Sequence, residues 1–147
     1  MSIANRELVR RWFEEVWNKQ SEEAIDQMFA PGGKSYGFPQ PDAVLVGPEK
    51  FKEIHRAFLS AFPDVRVTIR EIICENDNVA VTWTATMTHL GDSLGFAATL
   101  QKVSLEGCSI VSVRDGQIQD GRKYMEMEGL IHRLKAASTA SVEATPA

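Results

Sequence analysis

The stretch VRVTIREIICENDNVAVTWT, residues 65–84, decides how the chain is organised. On both sides of its Asn76-Asp77-Asn78 centre, apolar residues alternate with polar ones, as in strands with one face on a core. Residues two apart share a strand face, so Val79, Val81 and Trp83 point the same way. The stretch therefore predicts an antiparallel hairpin closed by a tight turn.

Three amphipathic helices are predicted before this hairpin. Residues 3–19 carry an apolar stripe at helical spacing. Ser21, followed by two acidic residues, predicts the N-cap of a second helix that stops at Pro31-Gly32-Gly33. Gly47-Pro48 opens a third helix, which ends before Pro63.

The C-terminal half is predicted to be mostly strand. A β-rich run over 97–114, a turn at Asp115-Gly116 and a last strand through Met127 follow the hairpin. Residues 129–134 suit a short closing helix, so residues 1–135 form one domain and 136–147 a disordered tail. Helices first and strands afterwards predict an α+β fold, with the helices covering one face of the sheet.

Composition restricts the partners. The 147 residues suit one domain, and the net charge of −4 comes with dispersed basic residues, which argues against a nucleic-acid partner. Cys74 and Cys108 lack metal-site spacing and fit a reducing compartment, although one disulfide stays possible. Without an apolar leader or long apolar segment, we expect a cytoplasmic protein with no membrane partner.

The segment GRKYMEMEGL, residues 121–130, raises the question of function. In a strand, Tyr124 and Glu126 lie on one face, and Met125 and Met127 on the other. If the methionines face the core, the glutamates are solvated. If the glutamates line a cavity, one of them is a candidate catalytic base.

Three segments carry a resemblance to a known family: RRWFEEVWNKQSEEAIDQMFAP, GPEKFKEIHRAFLSAFPDVRVTIREIICENDNVAVTWTATMTHLG and VSVRDGQIQDGRKYMEMEGLIHRL. They resemble the SnoaL-like polyketide cyclases, from about residue 6 to 134. The most specific pieces are Phe62-Pro63-Asp64, Thr88 to Gly91 and Asp115 to Ile118. The resemblance implies a cone-shaped α+β barrel, in which a curved mixed or antiparallel sheet wraps around N-terminal helices.

The resemblance also implies a catalytic position. In this family an acidic residue near the end of the last strand is the acid/base of an aldol ring closure, without metal or cofactor. The matching position is Glu126, which would face the interior with Tyr124 and Glu128 along the same side, while Met125 and Met127 pack outward or against a partner subunit. Glu128 lies closer to the helix and is expected to be exposed. Glutamate for the family's aspartate moves the carboxylate by about 1.5 Å. Residues 120–122 also depart from the family's pattern.

The other candidates have two interpretations each. His89 either points into the pocket mouth as a helper of the acid or has its ring held by a loop backbone. His55, on the apolar stripe of the third helix, is expected to be a satisfied, partly buried residue. Aromatic and apolar side chains are core by default, but in a cone fold the core is also the pocket wall. The expected substrate contacts are Trp17, Tyr36, Phe58, Phe62, Trp83, Met87 and Tyr124.

Two functional hypotheses follow. The first is a cofactor-free lyase or isomerase, which performs aldol cyclisation or isomerisation on a small apolar carbonyl compound in an aromatic-lined pocket. Its catalytic residues would be Glu126 and His89. The alternative is a non-catalytic ligand-binding or dimerisation module on the same fold. Either way, we expect a homodimer through the exposed face of the sheet.

Overall fold

Four helices are present in the computed structural model, which describes the backbone of residues 2–144 and the side chains of residues 3–138. Helix α1 runs on into a π-helical segment, and Ser21 caps α2 by accepting a hydrogen bond from the Ala24 amide at 3.1 Å. The three predicted N-terminal helices are thus present. The ranges are α1 (Ser2–Arg11), the π segment (Trp12–Asn18), α2 (Glu22–Met28), α3 (Pro48–Ala61) and α4 (Met127–Ala144).

Six strands form one curved, unclosed sheet in the order β2-β1-β6-β5-β4-β3. All neighbours pair antiparallel except β1 and β6, which are parallel. The predicted α+β class and mixed sheet are therefore confirmed. The strands are β1 (Phe29–Tyr36), β2 (Val44–Val46), β3 (Arg66–Glu75), β4 (Asn78–Thr88), β5 (Lys102–Arg114) and β6 (Gln117–Met125).

The hairpin predicted from residues 65–84 is β3–β4, with its turn at Asn76 and Asp77. Along β4, Val79, Val81 and Trp83 are buried at 0%, 0% and 7% exposure. This face carries the core, which lies between the inner side of the sheet and the helices. The alternation in the sequence thus predicted the inward face of β4 correctly.

Strand β6 contains a β-bulge at Gln119. Val113 pairs with Ile118 and Ser112 with Asp120, so one residue of β6 has no partner on β5. A bulge of one residue reverses which side chains face inward beyond it. Ile118 is buried before the bulge, and Gly121 is the next buried residue after it. The bulge therefore sets which residues of β6 enter the cone.

Two of the family-like motifs meet in the structure. Asp64 accepts hydrogen bonds from the amide and the hydroxyl of Thr88, at 2.7 and 2.6 Å. The carboxylate thereby ties the start of β3 to the end of β4.

Several element boundaries differ from the sequence predictions. The second helix ends at Met28, and β1 begins at Phe29, which pairs with Ile118. Residues 136–144, expected in a disordered tail, continue α4, and the rest of that tail lies outside the described residues.

Cys74 and Cys108 are both free. No helix among the described residues is long and apolar enough to cross a membrane.

Candidate functional site

The interior of the cone holds a cavity of about 40 Å³. Its wall is mainly aromatic and aliphatic, with two polar residues, Ser109 and Lys123. The expected contacts Trp17, Phe58 and Trp83 line it. The remaining wall residues are Phe13, Phe38, Val65, Val67, Ala85, Leu105 and Met125.

Lys123, on β6 after the bulge, sends its side chain into this interior. Its Nζ donates a hydrogen bond to Ser35 Oγ at 3.0 Å, and Ser35 is fully buried on β1. The same nitrogen lies 5.1 Å from the ring centre of Phe51 and 6.0 Å from that of Phe38. These are cation–π distances, so the rings partly replace the water that the amine has lost.

No carboxylate of the described residues forms an ion pair with Lys123. Burial without a counter-charge lowers the pKa of its amine from 10.5 to about 8. The residue as a whole is half-buried, because it also borders an outer groove, whereas its amine is enclosed by Ser35, Phe38 and Phe51. We assign the burial to the amine, which is the group that titrates.

Ser109 lies beside Lys123 on the inner face, because the two residues pair directly across β5 and β6. Directly opposed side chains have Cβ atoms about 5 Å apart. Ser109 Oγ accepts a hydrogen bond from Trp83 Nε1 at 3.0 Å, which leaves the hydroxyl hydrogen for another acceptor. The indole can lie there because it covers Gly107, where any Cβ would overlap the ring.

A second void, of about 20 Å³, lies on the other side of the lysine. Phe13, Ser109 and Lys123 border both voids. Phe13 and Trp17 come from the π segment, whose wider turn presents both rings to the interior. The interior space is thus divided into two small voids by the side chains of Phe13, Ser109 and Lys123.

Glu126 lies outside the cone, so the prediction that it faces the interior is wrong. It is exposed, between the end of β6 and the start of α4, and borders an open outer groove of about 810 Å³. Tyr124 is 56% exposed on the same side, and Tyr36 packs under Arg122 in that groove. The bulge at Gln119 is the physical reason for the positions of Tyr124 and Glu126, since it turns the even-numbered residues of β6 outward.

The predicted outward packing of the methionines is also wrong. Met125 lines the interior cavity, and Met127 is a buried core residue at the start of α4. Glu128 is exposed in the first turn of that helix, as expected. The inner side of β6 therefore presents Gly121, Lys123 and Met125.

His89 is fully buried but does not line the interior cavity. Its Nδ1 accepts a hydrogen bond from the Thr99 amide at 3.1 Å, and the ring lies between Phe62 and Phe96. Burial lowers the pKa of His89. The ring is thus held by a loop backbone, as in the second of the two interpretations, and it does not open into a pocket mouth. Phe62 and Met87 are buried in the core without reaching the cavity.

His55 is also fully buried. Its Nε2 donates to the Val16 carbonyl at 2.8 Å, and burial lowers its pKa. The expectation of a satisfied, partly buried residue holds only for Nε2, because the residue is fully buried and its Nδ1 has no hydrogen-bond partner among the described residues. Within the part of the chain whose side chains are described, no three His, Cys, Asp or Glu residues are grouped to hold a metal ion.

Sequence reasoning missed Lys123, Ser109 and Ser35. Lysine is rarely buried, so its residue type gave no reason to place Lys123 in an interior site. The signal that could have found it is the run Ile118, Gly121, Met125, which places a small and an apolar residue on the inner side once a bulge is allowed.

The family of this chain follows from both the sequence and the fold. The model of the SnoaL-like polyketide cyclases matches residues 7–134, and the chain belongs to this family. The resemblance drawn from the quoted motifs is therefore confirmed. No curated protein matches the chain.

Solved structures share the fold along nearly the whole chain. A candidate SnoaL-like polyketide cyclase from Jannaschia sp. CCS1 is 23% identical, with a TM-score of 0.83 over 92% of this chain and 94% of its own. A candidate polyketide cyclase from Acidithiobacillus ferrooxidans is 26% identical, with a TM-score of 0.76 over 93% and 99%. AclR from Streptomyces galilaeus, a candidate hydroxylase, is 24% identical, with a TM-score of 0.79 over 92% and 87%. Proteins with different named activities thus share this scaffold.

Proposed function

We propose that this protein is a cofactor-free enzyme that moves protons on a small apolar carbonyl compound, in an aldol cyclisation or an isomerisation. The observation that carries the proposal is the uncompensated amine of Lys123 in an aromatic cavity. Lys123 takes the place that sequence reasoning gave to Glu126. The family membership supports the reaction class.

The amine suits the chemistry of a general base. A pKa of about 8 leaves about a tenth of the amines neutral at pH 7, and catalytic bases work best with a pKa near the working pH. Neutral Nζ removes a proton from the carbon next to the carbonyl, which gives an enolate and an ammonium group. In a cyclisation the enolate attacks a second carbonyl carbon, and in an isomerisation the proton returns to another carbon.

Ser109 supplies the second polar group. Its hydroxyl hydrogen is not used in the bond with Trp83, and it lies next to Lys123 on the inner face. A hydrogen-bond donor beside the base stabilises the negative oxygen of an enolate. The pair therefore provides a base and an oxyanion donor at neighbouring positions.

A substrate must displace side chains to enter, because a void of about 40 Å³ holds only a few water molecules. Met125 and Lys123 border both the cavity and the outer groove. Methionine is unbranched and adapts its shape easily. Rotation of Met125 would connect the groove to the cavity.

Proton exchange tests the proposal directly. Acetophenone in deuterated buffer is followed by NMR with the full chain and with Lys123→Met. We expect the wild type to speed deuterium uptake at the methyl group and the variant to lose on the order of 10² to 10⁴ of that rate.

The matched control is Lys34→Met, on the neighbouring strand β1. Lys34 is exposed and lies next to Ser35, so its loss removes an equal charge outside the cone. It should keep the wild-type rate. Equal exchange by the wild type and Lys123→Met would remove Lys123 from the chemistry.

A second function, ligand binding without catalysis, is favoured by the exposure of Glu126, because the carboxylate at the family's catalytic position lies outside the cone. It predicts that acetophenone shifts the NMR signals of Trp17 and Trp83 without any deuterium uptake. Uptake that depends on Lys123 would reject it.

We also propose a homodimer through the outer face of the sheet. Ile73 and Ile110 are 63% and 40% exposed, and both pair with Ala80 across neighbouring strands. Tyr124 extends the same face on β6. An exposed apolar patch on a sheet favours isologous pairing.

Light scattering tests the dimer. The wild type should have twice the mass of one chain at micromolar concentration, and Ile110→Lys should have the mass of one chain. Leu100→Lys is the control, because Leu100 is 70% exposed in the loop before β5, away from that face. A monomeric wild type would contradict the proposal.

A further inference from the structure

The amine of Lys123 is a nucleophile as well as a base. It ends between two voids, with aromatic rings on one side and a neutral hydroxyl as its hydrogen-bond partner. A lysine that is paired with a carboxylate has its nitrogen lone pair blocked by the retained proton. Lys123 has no such partner among the described residues, so its lone pair is available to an electrophile.

We propose that Lys123 Nζ forms a covalent imine with the carbonyl carbon of an apolar aldehyde or ketone held in the interior cavity. The inference rests on the proposed function, since it takes the same site and the same substrate class. It adds a covalent bond between protein and substrate, which the proposed acid/base chemistry does not require.

The reaction is balanced without a co-reactant. The nitrogen lone pair forms a C–N bond, and the π electrons of the carbonyl move to oxygen. That oxygen takes both protons of the neutral amine and leaves as water, which leaves C=N. Water addition reverses each step. The Ser109 hydroxyl, next to the lysine, donates to the carbonyl oxygen while it gains negative charge.

The interior of the cone favours the step in which the adduct of amine and carbonyl loses water. The void of about 20 Å³ next to Lys123 is large enough for one water molecule. The walls of the larger cavity are apolar, apart from Ser109 and Lys123, so they offer little to retain it.

Reductive trapping tests the inference on the full wild-type chain. Phenylacetaldehyde and sodium cyanoborohydride are added at pH 7, and the labelled peptides are identified by mass spectrometry. We expect Lys123 to be modified at least about tenfold faster than the exposed Lys34 or Lys50, because its pKa of about 8 leaves about a tenth of its amine neutral at that pH and the cavity holds the aldehyde beside it. Equal or faster labelling of those two exposed lysines would overturn the inference.

Ser35→Ala gives a second measurement. It removes the hydrogen bond that favours the ammonium form, so trapping at pH 7 should become about two- to threefold faster. Slower trapping at Lys123 than in the wild type would contradict the inference. Ser93→Ala, which changes a hydroxyl on the surface, should leave the rate unchanged.

The same aldehyde separates this inference from the proposed function, because its α protons can exchange with deuterium. Exchange without any adduct on Lys123 rejects the imine and leaves the acid/base function in place. An adduct without exchange supports the imine and rejects the acid/base function. If neither is seen, both are wrong.

Discussion

Lys52 and Lys123 both withdraw from bulk water, but only Lys52 has carboxylates beside it. Lys52 Nζ lies 2.7 Å from Asp26 Oδ2 and 3.1 Å from Glu49 Oε1, and the hydrogen bond with Asp26 is the main cause of its raised pKa. Lys123 meets Ser35 and aromatic rings, and its pKa falls to about 8. The carboxylates at the surface between α2 and α3 stabilise the ammonium form of Lys52, whereas the cone interior destabilises the ammonium form of Lys123.

This difference has a consequence for stability. A buried charge without a partner costs folding free energy, and it is retained where function needs it. Lys52 is explained by its ion pairs alone. Lys123 has no such structural explanation, which is why the account places the function there.

The largest expected effect is that replacing Lys123 and Lys52 by methionine changes the free energy of unfolding in opposite directions. Lys123→Met should raise the free energy of unfolding at pH 7 by on the order of 1–3 kcal/mol, because it removes an uncompensated buried charge at similar volume. Lys52→Met should lower it, because Asp26 and Glu49 lose their partner. Urea unfolding measures both, and destabilisation by both would break the comparison.

Next is the effect of giving Lys123 a partner. Ser109→Asp puts a carboxylate at the position paired with Lys123, so its pKa should rise by about 1–3 units and resemble that of Lys52. Proton exchange at pH 7 should then fall about tenfold or more, as the neutral amine disappears. Ser109→Asn, of the same shape without charge, is the control and should keep the lower pKa.

Local signals in the sequence predicted much of the fold. Ser21, the Asn76-Asp77 turn and the Asp115-Gly116 turn act through their nearest neighbours, so their effects are readable from the sequence. The face of β4 was predicted for the same reason. The strict alternation from Val79 to Met87 leaves one choice for the core side.

The site could not be predicted in the same way. The bulge at Gln119 depends on how β6 pairs with β5 across the Asp115-Gly116 turn and also with β1, which is distant in sequence, and no glycine marks it. Without the bulge, alternation from the buried Ile118 puts Glu126 inside and Lys123 outside. The bulged residue Gln119 is thus the reason why Lys123, and not Glu126, lies inside the cone.

The pH dependence of stability is a smaller effect with a definite sign. The pKa of Lys123 is lower in the folded state than in the unfolded state, so the folded protein gains stability as pH rises from about 8 to about 10.5. The stability advantage of Lys123→Met should therefore shrink across that range. Urea midpoints of both proteins at pH 7, 9 and 10.5 would show it, and a constant gap would contradict the assignment.

The smallest expected effect is at Glu126. Because its carboxylate lies in solvent at the outer groove, Glu126→Gln should keep the proton-exchange rate within about twofold and the stability within about 0.5 kcal/mol. A loss of exchange comparable to that of Lys123→Met would restore the family-based assignment.

Titration of Lys123 itself tests the central claim most directly. Lysine labelled with ¹³C at Cε reports the charge of each amine by NMR, and Lys123→Arg identifies the signal. We predict a midpoint of about 8 for Lys123. A midpoint near 10.5 would show that the cone interior does not hold an uncompensated amine.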